Sequence, residues 1–280
     1  MGFSQQDKTE SHLSRTRTIS ITSGKGGVGK TTIVVNLAKI LHKRGYRVLI
    51  LDGDLGMANV DIMLKVRAKK SIYDLISGEA QLSEILVEVE SGLTLIPGGS
   101  GLYDLQNLTI FERQHLLDQV SGLGKKYDYM LIDTSPGIDN NVLYLNAAAQ
   151  EICVVVNSDP ASFADSYALI KVLNQRCREN RFSIVCNQVR DEQEGVKLFR
   201  KLDEVVQKFL YVSLDYKGSI PSDLNLRQAT KNQQLVSQVY SQSPSAQALM
   251  KLSQKFEAHQ TLDECKGNLQ FFWEQLVGVA

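Results

Sequence analysis

An α/β domain with a mostly parallel sheet flanked by helices is the fold class this sequence predicts. Three observations predict it. Short apolar runs recur along the chain, helical patterns separate them, and a first strand that alternates apolar and polar residues ends in a glycine-rich loop that opens a helix. Strands that are apolar on both faces imply a sheet covered on both sides, which is the parallel arrangement. The composition agrees, since 43% hydrophobic and 22% charged residues in 280 are ordinary for a globular chain and exclude a disordered or collagen-like one.

Taken in order, residues 1–16 are polar and aperiodic and read as a flexible N-terminal tail. They carry no apolar stretch that would serve as a secretory signal. No run reaches the ~18 apolar residues of a membrane span, so the chain reads as cytoplasmic with reduced thiols. A strand is expected over Thr18–Ser23, ending in Gly24-Lys-Gly-Gly-Val-Gly-Lys-Thr-Thr32. A helix follows over Ile33–Arg44, with Val34, Leu37, Ala38 and Leu41 on one face and Gly45 as its stop. Val48–Leu51 is a short apolar strand leading into Asp52-Gly-Asp54. Leu93–Ile96, Tyr129–Asp133, Ile152–Val156 and Ser183–Cys186 repeat that character, and Phe111–Leu123, Phe163–Arg178 and Gly195–Phe209 have helical patterns. One domain is therefore expected over 17–256, then a polar linker over 257–268, then an amphipathic helix over 269–280.

Charge and cysteines remove several classes. Lys and Arg total 31, as do Asp and Glu, so a strongly basic nucleic-acid binder is excluded and no direct nucleic-acid contact is expected. Cys153, Cys177, Cys186 and Cys265 form no C-x-x-C pair, and no cysteine precedes Cys153. Zinc ribbons, redox dithiols and iron–sulfur ligation are ruled out by that spacing.

The loop Gly24–Thr31 matches G-x-x-x-x-G-K-[ST] between a strand and a helix, which is the context of a P-loop NTPase domain. The backbone N–H groups of Gly26, Gly27, Val28 and Gly29 would turn inward around phosphate oxygens, and the helix N-terminus adds its dipole. Lys30 would reach the β- and γ-phosphates, the Thr31 hydroxyl would ligate Mg²⁺, and Thr32 would donate to the α-phosphate. Tyr129–Gly137 is an apolar strand ending in Asp133, placed to hold Mg²⁺ through water, and Gly137 gives the following segment the freedom of a switch. The base is argued from what is missing. A guanine-specific site needs a carboxylate acceptor shortly after the asparagine of the Ser183–Asn187 strand, where this chain has Gln188, Val189 and Arg190. Arginine cannot accept a hydrogen bond. ATP is therefore favoured, with Asn187 on the adenine edge and Pro221, in an Ile220–Asp223 loop, completing the pocket.

A second lysine, Lys25, directly follows the first glycine. This deviant loop resembles that of the MinD and ParA P-loop ATPases, and the resemblance covers nearly the whole chain. It implies an ATP-dependent homodimer with weak, Mg²⁺-dependent hydrolysis. Lys25 would act across the dimer on the partner's phosphates, a cation supplied in trans as an arginine finger is. The resemblance also implies that Asp54 orients the attacking water, that Asp52 sits near the Mg²⁺ shell, and that Lys25 pairs with Asp159 or Asp165 in the nucleotide-free monomer.

Within that family, Asp159–Lys171, Glu194–Leu202, Gly218–Asp223 and Leu269–Val277 resemble segments of the flagellar-number ATPases, the FlhG or FleN group. That narrower likeness implies control of flagellar number and placement. It also implies partners such as the GTPase FlhF, a FleQ-type transcription regulator or a switch-complex protein, and peripheral inner-membrane association at the cell pole. A ParA-type DNA- or cargo-positioning ATPase and a MinD-type division-site ATPase are the alternatives. The N-terminal Asp7–Leu13 only loosely echoes the D-Q-A-x-x-L-R helix of many relatives. Leu269, Phe272, Trp273, Leu276, Val277 and Ala280 form one apolar stripe, open to reversible membrane contact or to packing on protein.

Overall fold

The computed structural model describes residues 16–54, 59–99, 119, 123 and 126–258. The expected tail over 1–15, most of the Phe111–Leu123 helix, and the whole of the 269–280 helix lie outside the described residues. Thr16, counted with the tail in the sequence reading, is instead buried, with its hydroxyl donating to the Tyr127 carbonyl at 2.8 Å.

Eight strands form one sheet in the order β3-β4-β2-β5-β1-β6-β7-β8. They are β1 (Arg17–Thr22), β2 (Val48–Gly53), β3 (Val87–Glu90), β4 (Leu93–Ile96), β5 (Tyr129–Thr134), β6 (Glu151–Val156), β7 (Arg181–Val189) and β8 (Ser213–Pro221). Every pairing is parallel except the edge pair β3–β4. The helices are α1 (Lys30–Lys43), α2 (Val60–Leu64), α3 (Ile72–Ile76), α4 (Leu82–Ile85), α5 (Asn140–Ala148), α6 (Pro160–Cys177), α7 (Glu192–Phe209), α8 (Leu224–Lys231), α9 (Val236–Val239) and α10 (Pro244–Ala258).

Period-two alternation divides the core between the two faces of the sheet. Ile19, Ile21, Val48, Ile50, Tyr129 and Leu131 pack with α1, α9 and α10. Leu49, Leu51, Met130 and Ile132 pack against α3, α4 and α5, while Ile152, Val154, Phe182 and Ile184 pack against α5, α6 and α7. Burial on both faces is why these strands read as continuous apolar runs.

Helix α1 shows how burial outweighs propensity. Its early residues Thr31-Thr32-Ile33-Val34-Val35 are β-branched and individually poor helix formers. Every residue from Ile33 to Leu41 is buried, however, and a buried leucine cut to alanine costs about 2–5 kcal/mol. Gly45, at φ +94°, closes the helix: its N–H donates to the His42 carbonyl at 2.9 Å and that of Tyr46 to Leu41 at 3.3 Å, a Schellman closure. Strands β3 and β8 and helices α2–α5 and α8–α10 have no counterpart in the sequence reading. Ile220 and Pro221 finish β8, rather than lying in a loop, and Asp223 caps α8 by accepting from Asn225 N at 2.8 Å.

Candidate functional site

The site gathers at the C-terminal ends of the parallel strands, where ligands of open α/β sheets bind. After β1 the chain turns at Gly27 (φ +77°) and Gly29 (φ +96°), both in the left-handed region that glycine adopts without strain. A Cβ on Gly29 would stand 2.4 Å from Asn187 Nδ2, and one on Gly24 would meet the Asp165 backbone at 2.2 Å. Gly29 is the N-cap of α1 and has no side chain to cap it, so the first N–H groups of α1 face the loop's concavity.

The two loop lysines occupy opposite environments. Lys30 is buried, and its ammonium donates to Ser23 Oγ at 2.9 Å. Burial holds its pKa below the usual lysine value, although Asp133 and Asp54 pull it up. Ser23 Oγ in turn donates to the Lys25 carbonyl at 2.7 Å. The Lys25 side chain points out of the concavity to Asp159, Nζ to Oδ2 2.7 Å. Asp159 is placed by its own helix: it is the N-cap of α6, its Oδ1 accepts from Ala161 N at 2.8 Å, and Pro160 follows at the first helical position. Lys25 holds the Asp159 carboxyl below the usual range. Asp165, the alternative partner, lies with its backbone against Gly24 instead.

Asp52, next to last in β2, lies directly opposite Asp133 on β5. Both oxygens of Asp52 are engaged, Oδ1 by Asp54 N at 3.2 Å, and Oδ2 by Asn59 N at 3.1 Å and Val60 N at 3.2 Å. Burial nonetheless raises its pKa to about 6. Asp52 thus ties the end of β2 to the start of α2, a contribution the sequence reading did not contain. Asp133 is likewise buried and raised to about 7, chiefly by that burial, with the Thr31 side chain hydrogen-bonded to it. Its Oδ1 has no partner. Asp54 Oδ1 accepts from Ser135 Oγ at 2.9 Å, which joins the segment after β2 to the segment after β5. The latter is tied back to the loop by Gly137 N donating to the Ser23 carbonyl at 3.0 Å, with Gly137 at φ +102°.

At the other side, Asn187 Nδ2 donates to the Val28 carbonyl at 2.6 Å. That bond fixes the amide orientation, because a carbonyl oxygen accepts and so must face the amide's N–H rather than its oxygen. Asn187 Oδ1 then faces inward, buried and without a partner. Ile220 lies beside Asn187 and Pro221 beside Val189 in the β7–β8 register. Thr32 stands in the first turn of α1, its carbonyl accepting from Asn36 Nδ2 at 2.9 Å.

These residues fit a bound nucleotide and Mg²⁺. Buried polar atoms are rarely left unpaired, and two are unpaired here: Asp133 Oδ1, suited to a cation or its water, and Asn187 Oδ1, suited to an amino group such as that of adenine. The left-handed glycine loop supplies the N–H cradle between them. Ser23 and Ser135 escaped the sequence reading because nothing local distinguishes a serine that will face a lysine or an aspartate across the site.

Comparison with known proteins places this arrangement. Residues 16–185 match the protein family described as AAA domain. The chain is 38% identical over 259 residues to the antiactivator FleN of Pseudomonas aeruginosa, an alignment covering 92% of each. It is 34% identical over 225 residues to the flagellum site-determining protein YlxH of Helicobacter pylori, covering 80% of this chain and 76% of the other. Among solved structures, the septum site-determining protein MinD with Mg-ADP from Pyrococcus horikoshii matches with a TM-score of 0.67 and 27% identity, covering 89% of this chain and 99% of that one. The MinC:MinD cell division complex of Aquifex aeolicus shares the fold, with a TM-score of 0.69 at 24% identity over 87% and 96% of the two chains.

Proposed function

The chain belongs to the MinD/ParA family of P-loop ATPases, and from that premise we propose that it is an ATP-driven dimerisation switch limiting flagellar number and placement. ATP and Mg²⁺ are its cofactors and hydrolysis to ADP and phosphate its reaction. The observation that carries the switch reading is the division of labour between the two loop lysines. Lys30 is buried in the cradle, while Lys25 rests outside it on Asp159, where a second copy of the chain can draw it away.

Mg²⁺, when bound, would supply positive charge against that of the phosphates. The loop amides of Gly26–Gly29 and the ammonium of Lys30 would hold the phosphates, Thr31 and Asp133 would hold the cation, and Asp52 would support its shell from the neighbouring strand. Asp54 accepts a hydrogen bond from the attacking water and so orients it, after giving up Ser135. Lys25 of one protomer stabilises the negative charge on its partner's transferring group. Each of these acts by position and charge, as phosphoryl transfer requires. Asn187 and Pro221 hold the base.

Residues 269–280 make reversible contact with the inner membrane, supported by their apolar stripe. Among the described residues, no helix is long and apolar enough to cross a membrane. The partners are flagellar: a GTPase of the FlhF kind, a FleQ-type regulator or a switch-complex protein, with the cell pole as the site. Deleting the gene and counting flagella per cell tests the role. An unchanged count and placement would overturn it, and complementation by the Lys25→Ala chain would show that the switch is not what regulates.

A further inference from the structure

The pairing of Lys25 with Asp159 is one link in a closed polar ring. Asp159 N donates to Asn157 Oδ1 at 3.3 Å, Asn157 Nδ2 donates to Gln188 Oε1 at 3.0 Å, and Gln188 Nε2 donates to the Gly27 carbonyl at 3.2 Å. The ring leaves the loop at Lys25 and returns to it two residues later. Its direction is fixed throughout. Gln188 must turn its N–H to a carbonyl, which leaves its oxygen for Asn157, and Asn157 must then turn its own oxygen to the Asp159 amide.

Gln188 holds its place at a cost to its backbone. It sits at φ +57°, in the left-handed region that a glutamine adopts at a cost. The β7–β8 register shifts on either side of it, between Asn187 and Val189. That irregularity turns an otherwise exposed side chain back over the loop. The strain is sustained by the contacts it makes there, with Gly27 and Asn157.

We propose that Asn157 and Gln188 are positioning residues that lock Lys25 in its resting place, and so set the ATP concentration at which the chain dimerises. The inference rests on the reading of Lys25 as the cation acting in trans. With Gly27 pinned, the segment Lys25–Gly27 cannot swing without breaking an amide hydrogen bond. Only the fraction of molecules with the ring open offers Lys25 to a partner, and apparent affinity falls in proportion to that fraction.

The test uses the full chain with Gln188→Ala and Asn157→Ala. Three quantities are measured: the ATP concentration for half-maximal dimerisation by sedimentation, kcat at saturating ATP, and the Kd for ADP. Loss of one such hydrogen bond is expected to lower the dimerisation midpoint about two- to tenfold, leaving kcat and ADP affinity within about twofold. Asp159→Asn keeps the helix cap but removes the charge that holds Lys25, and should lower the midpoint too. Adding Gln188→Ala to it should change nothing further, because the ring is already open. Unchanged or raised midpoints, additive effects with Asp159→Asn, or ADP affinity falling with the midpoint would each overturn the proposal. The last would mark Gln188 as a mere prop of the loop. Lys25→Ala separates the two readings. Parental dimerisation and turnover by that chain refute the trans role itself, whereas an inert Lys25→Ala beside an unaltered Gln188→Ala refutes the ring alone.

Discussion

Asp52 and Asp133 stand directly opposite each other on the neighbouring parallel strands β2 and β5, two buried carboxylates facing one site. The parallel register brings them there, and loss of hydration on burial raises both, Asp52 to about 6 with the Asp54 charge adding to it and Asp133 to about 7 with the Asp52 charge adding to it.

A pH dependence follows for the nucleotide-free protein. Both groups hold protons in the native state at pH values where the unfolded chain has lost them, beginning near the ordinary aspartate value of 3.8. The native state therefore binds more protons than the unfolded one from about pH 4 to about pH 7, and these groups make stability fall as pH rises through that window. Above it their contribution is constant. Asp52→Asn should accordingly gain stability relative to the parent between about pH 5 and about pH 8, by roughly 1.4 kcal/mol, because about one pKa unit of the shift lies above pH 5. Urea midpoints at the two pH values check it, and a difference that shrinks as pH rises contradicts it.

The two lysines should fail differently. Lys30→Ala removes the buried cation of the cradle and should weaken ADP and ATP binding roughly 10- to 100-fold, the worth of a charge-assisted hydrogen bond. Lys25→Ala should leave ADP affinity unchanged yet abolish ATP-dependent dimerisation and turnover. Calorimetry with ADP and sedimentation with ATP distinguish them, and parental turnover by Lys25→Ala would remove the trans role.

Asp54→Ala should trap the dimer. It loses the carboxylate that orients water, so kcat should drop by about 100-fold or more, while the phosphate cradle stays intact. A monomer in size-exclusion chromatography with ATP and Mg²⁺ would contradict this expectation.

Asn187→Ala removes both the tie to Val28 and the inward oxygen. The apparent Kd for ATP should rise about tenfold, with kcat at saturation little altered. An unchanged Kd would mean that the base is read elsewhere.

For the terminal segment, Trp273 is the sole tryptophan, so its emission reports those residues alone. ATP and liposomes together should shift that emission in the Asp54→Ala protein, because ligands move an equilibrium only through a difference in affinity between states. Deleting residues 269–280 should abolish co-sedimentation with liposomes. Equal sedimentation of the full and shortened chains would leave packing on protein as the segment's role.

The sequence by itself determined the parts of this protein whose physics is local. Gly24–Thr32 spells its own loop, because glycines at left-handed positions between a strand and a helix admit few other uses. The buried strands announced themselves as apolar runs, since both of their faces meet helices. The edge strand β8, reading Ser-Leu-Asp-Tyr-Lys-Gly-Ser-Ile-Pro, did not. It carries charges and a glycine, and its place depends on α10 and β7 rather than on its own pattern. Tertiary structure alone decided what each polar group faces. The β2–β5 register set Asp52 against Asp133, the turn before α2 took up both Asp52 oxygens, and the cap of α6 brought Asp159 rather than Asp165 to Lys25. The strained backbone of Gln188 closed the ring over Gly27. The physical reason is range: backbone conformation responds to neighbours a few residues away, whereas the ion pair of Lys25 with Asp159 and the facing of Asp52 and Asp133 join groups far apart in the chain.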